Sequence, residues 1–303
     1  MYTMSTYINH EAQKQVTSYH NFDSDNIEYK PAKLNARGGK NIPVHYEGKR
    51  LLLQIPLTFT WGAQEHEDDN GNKSYSMNLN IEQESKLFEK MKAFEDKIIA
   101  DSVKNSKAWF GKPKMTEAVV DALFYRILKF PKDKNTDEID TTRNPNMKVK
   151  IPYWDGKFTF KSLFNMEKHT IYSPSQGITD NHPTELIPQR SHISAVIECG
   201  GVWFAAGRFG VTWKLVQGKV KKPVTMDGYC MLDDPEEDLM VAEINKKAKQ
   251  KSSEEEEDTA YQAEELVDTE DETGTQEEEE PEPEPQPEPK KKKKVVRKKK
   301  ATA

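Results

Sequence analysis

Residues 200–217 read GGVWFAAGRFGVTWKLVQ, with four aromatic rings inside the eleven positions from Trp203 to Trp213. Two runs of alternating residues flank an AAGRFG turn, the pattern of a β-hairpin. Neighbouring side chains on a strand point to opposite faces, so Trp203 and Phe204 cannot enter the same core. One of them faces inward and the other is exposed or lies beneath a loop. Beyond the turn, Val211, Trp213 and Leu215 share a face, which makes Trp213 a core ring. Thr212 and Lys214 lie opposite, while Arg208 and Phe209 sit at the turn. Arg208, Phe209, Lys214 and one of Trp203 or Phe204 are thus candidates for a surface platform. The alternative is that helices cover all of these rings.

The rest of the chain follows the same period of two, with one helical interruption. IPVHY, the Glu47-Gly48 turn and KRLLLQIPLTFTW read as a hairpin that pairs Tyr46 with Lys49 and His45 with Arg50. Val44, Leu51 and Leu53 then form an apolar face, and His45, Arg50 and Gln54 a polar one. DDNGNK is a second turn, followed by the alternating SYSMNLNI. Residues 84–103 place Leu87, Phe88, Met91, Phe94, Ile98, Ile99 and Val103 at helical spacing. A second helix is expected from an N-cap at Thr116, with Val119, Val120, Leu123, Phe124, Ile127 and Leu128 along one face until Pro131 stops it. An aromatic and basic linker, NSKAWFGKP, joins the two. Residues 131–147 read as a charged loop, strand signals resume at Lys148, and a last β block runs from Ser191 to about Met231. Strands, two helices, then strands define an α+β chain with a predominantly antiparallel sheet or small barrel.

IPYWDGKFTFK, residues 151–161, carries Asp155-Gly156, a strong type I′ turn signal. A two-residue turn pairs Trp154 with Lys157 and Tyr153 with Phe158. Ile151, Tyr153, Phe158 and Phe160 share the core side, and Trp154, Lys157, Thr159 and Lys161 the other. A large ring beside two lysines on an outer face is a stacking platform for single-stranded nucleic acid. The competing expectation is that Trp154 packs under a loop. Upstream, Arg37 and Lys40 flank a glycine pair that lets backbone approach a phosphate closely. Lys49 and Arg50 add further cations beside aromatic residues, although each one alone reads equally as a solvated charge.

Charge is unevenly spread. The chain of 303 residues has a formal net charge of −6, but residues 252–303 hold 18 acids against 9 bases, leaving 36 basic and 33 acidic residues in 1–251. A mildly basic body thus carries an acidic tail, an asymmetry found among nucleic-acid-binding and chaperone-type proteins. From Ser252 on, glutamate runs, PEPEPQPEP and a lysine block cannot build a core and are expected to be intrinsically disordered, with a short exposed helix before them over 233–251. Cys199 and Cys230 make no disulfide framework and fit a reducing compartment. The N-terminus has no apolar stretch of signal-peptide type, and no run approaches the roughly 18 residues of a membrane helix. A soluble intracellular protein without membrane contact is expected.

No catalytic constellation is legible. Gly111-Lys112 lacks the preceding glycine of a phosphate-binding loop and is followed by Pro113, and GxSxG, HExxH, CxxC and GxGxxG are all missing. His169, His182, His192 and Cys199 match no metal spacing, and Asp23-Ser24-Asp25 reads as a capped loop. No enzyme, metal or cofactor is expected.

The run AVIECGGVWFAAGRFGVTWKLVQGKV, residues 195–220, resembles a segment of the single-stranded DNA-binding proteins of nucleocytoplasmic large DNA viruses, a group similar to the replicative single-stranded DNA-binding protein of T-odd bacteriophages. The shared elements are Trp203, the turn at Arg208, Phe209 and Gly210, and Trp213-Lys214 followed by Gln217. RGGKNIPVHYEGKRLLLQIP, residues 37–56, looks like the family's opening strands. The resemblance spans roughly residues 37–225 and implies an OB-type β-barrel with two inserted helices and an acidic C-terminal tail. With the polar, weakly patterned start of the chain and its charged end, the expected division is an N-terminal arm (1–36), a single-stranded DNA-binding domain (37–232) and a tail (233–303). The phage tails close on an aromatic residue that docks replication partners. Here the acids give way to KKKKKVVRKKKATA, which has no ring and could bind DNA, fold back on the acids or act as a nuclear-localisation-like block.

The resemblance implies a viral protein that binds single-stranded DNA without catalysis in replication, repair or recombination. Cations track phosphates and rings stack on bases, and the acidic tail competes for the basic groove. A viral DNA polymerase or primase-helicase would be reached through the tail, a homodimer is admitted, and the setting would be a host nucleus or cytoplasmic viral factory. Rival expectations are a structural or virion-associated protein-contact module and an acidic-tailed chaperone of basic proteins.

Overall fold

The computed structural model describes residues 9–34, 38–226 and 228–261, with side chains described as far as residue 248. The described residues divide into two compact bodies, one up to residue 226 and one from residue 228. Five strands of the first body close a barrel: β1 (Leu52–Glu67), β2 (Lys73–Asn80), β3 (Asn146–Ile151), β4 (Ser191–Ala205) and β5 (Arg208–Lys221). β1 pairs with β2 and β2 with β3, both antiparallel, and β3 runs parallel to β5. β5 returns antiparallel to β4, and β4 closes antiparallel onto β1. This closed five-stranded barrel, with added strands and helices, is consistent with an OB-type fold.

The barrel closes because each strand keeps one face apolar. Tyr75, Met77 and Leu79 of β2 are buried opposite Ile151, Val149 and Met147 of β3. Val149 lies beside Trp213 of β5, which is buried against Phe94, the ring centroids 5.6 Å apart. The expected core position of Trp213 is therefore observed.

The helices fill the connection between β2 and β3. α1 (Lys86–Lys104) starts where the Ser85 side chain accepts from the Phe88 N–H at 3.2 Å, and it buries Leu87, Met91, Phe94, Ile98 and Ile99. α2 (Ser106–Phe110) occupies the expected linker and ends at Gly111 in the left-handed region, φ 70°. Its Trp109 is buried. α3 (Glu117–Leu123) is shorter than its hydrophobic pattern suggested. Phe124–Tyr125 leaves the helix to pair parallel with Phe209 and Gly210 of β5, and Leu128–Lys129 pairs antiparallel with Met147 and Asn146 of β3. The buried Glu95 carboxylate of α1 accepts the N–H groups of Ile127 and Leu128, which a helix would have kept for itself.

Residues 17–34 contribute to this body. Phe22 is fully buried against Phe94 and Tyr46, and the Tyr29 hydroxyl donates to Asp101 of α1 at 2.9 Å. Both small hairpins have the expected register, Tyr46 opposite Lys49 and Tyr153 opposite Phe158. Asp155 and Gly156 have φ of 50° and 75°, the left-handed values a type I′ turn needs. The last β block ends at Lys221, short of the expected Met231.

In the second body a helix, α4 (Pro235–Tyr261), continues past Lys251 into the glutamate run. The remaining acidic tract and lysine block, residues 262–303, lie outside the described residues, as does Arg37. Among the described residues, no helix is long and apolar enough to cross a membrane.

Candidate nucleic-acid interface

The side chains of β2, β3 and β5 that do not enter the barrel form its outer face. Lys148 lies opposite Asn78, and Lys150 is opposite Ser76 on one side and beside Lys214 on the other. Along β5, Arg208, Gly210, Thr212 and Lys214 alternate with the buried Phe209, Val211, Trp213 and Leu215. Trp203 of β4 pairs with Gly210, and Gly210 is in register with Tyr125 on its other side. The Trp203 and Tyr125 rings lie 5.8 Å apart across Gly210. A Cβ at that glycine would stand 2.8 Å from Cζ2 of Trp203, so only glycine leaves room for the pair.

Lys129 joins this face from the short strand beside Asn146. Its ammonium stands 3.5 Å above the Tyr125 ring and donates to the Tyr125 hydroxyl. That hydrogen bond first, then the charges of Lys129, Lys148 and Arg208, hold the Tyr125 hydroxyl below its usual range against the opposing effect of burial. Lys150 is likewise held below the usual lysine range, by desolvation first and then by Lys148 and Lys214. None of Lys129, Lys148, Lys150, Lys214 and Arg208 enters an ion pair among the described residues. The carboxylate on this face is Glu198, opposite Lys214, and it is held by Arg50 at 3.4 Å.

The row from Trp203 through Gly210, Tyr125, Lys129 and Asn146 to Asn80 crosses five steps between neighbouring strands, roughly 24 Å. It presents rings, amides and uncompensated cations on one side of a rigid sheet. Such a surface suits a flexible polyanion that carries flat groups.

The sequence-derived candidates divide accordingly. Arg208, Lys214 and Trp203 lie on this face, and Arg50 at its margin through Glu198. Phe204 and Phe209 lie on the opposite side. They stack on each other with centroids 5.9 Å apart, under Phe110 of α2, and Phe204 also meets Trp109. Phe209 is fully buried, which corrects its expected place on an exposed platform: as residue two after the Ala206-Gly207 turn it points inward. Of the Trp203 and Phe204 pair, Phe204 is the ring packed against the core, and Trp203 faces outward. Lys40 donates to the carbonyls of Ala108 and Trp109 at 2.8 and 2.9 Å and stands 5.3 Å over Phe204, so it is engaged in holding the C-terminal end of α2. Trp154 is 77% exposed on its separate hairpin just beyond Lys150, with Lys157 and Lys161 also exposed. Lys49 is exposed on the first hairpin.

Tyr125, Lys129, Lys148, Lys150 and Trp61 were not singled out from the sequence. The alternation NMKVKI could have found Lys148 and Lys150, because Met147, Val149 and Ile151 claim the core side. Tyr125 and Lys129 were hidden by the helical reading of their segment.

Among the described residues, no group of three or more His, Cys, Asp or Glu side chains gathers where it could hold a metal. Cys199 is buried, which pushes its thiol up to about 12 and leaves it without thiolate character near neutrality.

No family model and no curated protein matches the chain. Among solved structures it is similar to the single-stranded DNA-binding protein from bacteriophage Enc34 in complex with ssDNA, at 15% identity and a TM-score of 0.37, covering 66% of this chain and 99% of that one. It is also similar to gp2.5, a single-stranded DNA-binding protein encoded by bacteriophage T7, at 11% identity and a TM-score of 0.36, covering 60% and 98%. With identities and TM-scores this low, neither likeness carries an argument about this chain.

Proposed function

We propose that this chain binds single-stranded DNA, without catalysis, across the outer face of its barrel. The observation that carries this reading is one surface: five cations with no ion-pair partner among the described residues, gathered around Tyr125 and Trp203. Desolvation first, and then the charges of Lys148 and Lys214, hold the Lys150 ammonium below its ordinary range, and like charges gathered this way are unfavourable unless an anion relieves them. Phosphates supply that relief, and the two rings supply sequence-tolerant stacking. Trp154 with Lys157 and Lys161 extends the track beyond β3, and Lys49 and Arg50 flank it.

The finer parts of the reading are a role in viral replication, repair or recombination, of the kind found in nucleocytoplasmic large DNA viruses, and autoregulation by the acidic tail. They rest on the resemblance of residues 195–220 and on the charge asymmetry of the chain. The deciding experiment is titration with oligo(dT), read by anisotropy, for the wild type and the triple variant Lys148→Ala, Lys150→Ala, Lys214→Ala. The wild type should bind and the triple variant should bind far more weakly with no loss of melting temperature. Equal binding by both would remove this face as the interface.

A second reading, protein contact, is favoured by one feature of the other body: Leu239, Met240, Val241 and Ile244 of α4 are all exposed. A polymerase or primase-helicase reached through the C-terminal segment would belong to this reading, and it does not compete with DNA binding on the barrel.

A further inference from the structure

A cleft of about 330 Å³ opens between the middle of β1, the end of β2 and the loop that leads into β3, at the low end of the roughly 300–1,000 Å³ of small-molecule sites. It is walled by Trp61, Asn80, Pro131, Arg143, Asn144 and Asn146. Trp61 is 44% exposed; its indole Nε1 donates to Asn146 Oδ1 at 2.9 Å and Phe59 meets it in a T-shaped contact with centroids 5.0 Å apart, which together fix the ring. Asn144 Nδ2 donates to Asn80 Oδ1 at 3.4 Å, and Asn144 Oδ1 accepts from the Gln83 N–H at 3.3 Å. The Gln83 side chain in turn donates to the carbonyls of Thr141 and Arg143 at 3.0 and 3.1 Å, pinning the loop that carries the arginine. Arg143 is exposed and enters no ion pair among the described residues. The nearby carboxylate is Asp140, held below its ordinary range first by the Thr142 hydroxyl and to a lesser degree by the Arg143 charge.

We infer that this cleft takes one nucleobase of a bound single strand, stacked on Trp61 with its edge toward the asparagine amides and its phosphate toward Arg143. The inference rests on the proposed DNA binding and adds a defined end to its track. Asn146 is shared: it holds Trp61 on one side and is in register with Lys129 on the other, so the cleft is continuous with the row that leads to Tyr125 and Trp203. An aromatic face, amides that can meet a base edge and an unpaired guanidinium are the three groups that recognise an unstacked nucleotide.

The test is photocrosslinking of the full chain to oligo(dT) carrying 5-iodouracil, with peptide mapping, alongside affinity measurements on Trp61→Ala and Arg143→Ala. Crosslinks are expected on the peptide holding Trp61, and Trp61→Ala should weaken binding roughly 5- to 150-fold, the range of one lost base stack. If Trp61→Ala melts early, Arg143→Ala decides, because this exposed side chain makes no hydrogen bond or ion pair among the described residues; it should weaken binding and reduce the Trp61 crosslink. Wild-type binding with crosslinks confined to Trp203, Tyr125 or Trp154, and with the variants binding as wild type, would overturn the cleft and leave the proposed function standing. No binding by the wild type would remove both.

Discussion

Lys150 sets stability against binding on the outer face. Its ammonium is held below the ordinary value, so between its folded and unfolded pKa the unfolded chain carries more protons. Stability therefore rises with pH through that alkaline window, and the cost of the charged ammonium, from desolvation first and then from Lys148 and Lys214, is fully felt below it. Lys150→Met should raise stability, by less than about 1 kcal/mol at an exposed site, while weakening single-strand binding. Melting and titration at neutral pH check both halves; a variant that loses stability would show that Lys150 has a structural partner. Two aromatic residues separate on the same logic. Phe209→Ala, which empties a fully buried site between Phe204 and Phe124, should cost about 3–5 kcal/mol in denaturant unfolding. Trp154→Ala should leave the melting temperature nearly unchanged and, if a base stacks there, lose about 1–3 kcal/mol of binding.

The segment after α3 shows how one element is decided by another. Val120, Leu123, Phe124, Ile127 and Leu128 keep a helical spacing, yet the backbone becomes strand at Phe124. Glu95 of α1 makes the difference by accepting the backbone N–H groups of Ile127 and Leu128, with Arg126 3.8 Å from the same carboxylate. Burial raises the pKa of Glu95, opposed by those N–H groups and by Arg126. A raised carboxyl pKa contributes stability that is fully present below the unfolded value and is lost as pH rises through the folded one. Glu95→Gln retains an acceptor and removes the buried charge, so it should melt close to the wild type and lose less stability as pH rises. Glu95→Ala orphans two donors and should cost at least about 1–3 kcal/mol. Because Tyr125 and Lys129 are delivered by this segment, Glu95→Ala should also weaken DNA binding, although it lies beneath the interface. Equal stability of the alanine variant would mean the 124–129 strands form without that carboxylate.

At the scale of the whole molecule, the body is mildly basic and residues 254–288 carry 18 acids. A tethered polyanion competes with DNA at roughly millimolar effective concentration, and salt screens the contest. Deleting residues 254–289 while keeping the lysine block should tighten single-strand binding at low salt, with a difference that shrinks as salt rises. Affinity itself should fall with salt at a slope of about −0.7 per phosphate neutralised. A deletion that binds as the full chain does would assign the acids to partner recruitment instead.

The alternation of apolar residues, the Asp155-Gly156 and Glu47-Gly48 turns and the helical period of 86–104 are local properties. The sequence by itself therefore determined the strand registers of both small hairpins, the burial of Trp213 and the α+β class. Pairing distant segments is not local. Whether Phe124 continues a helix or joins β5 depends on Glu95 and Phe209, 29 and 85 residues away in the chain. The assembly of Trp203, Tyr125, Lys129, Lys148, Lys150 and Lys214 into one face depends on barrel closure, which brings β3 parallel to β5 across a long insertion. Even the outward turn of Trp203 was open in the sequence, because alternation says only that two neighbours part. The helix α2, packed over Phe204 and Phe209, decided which side became the interior.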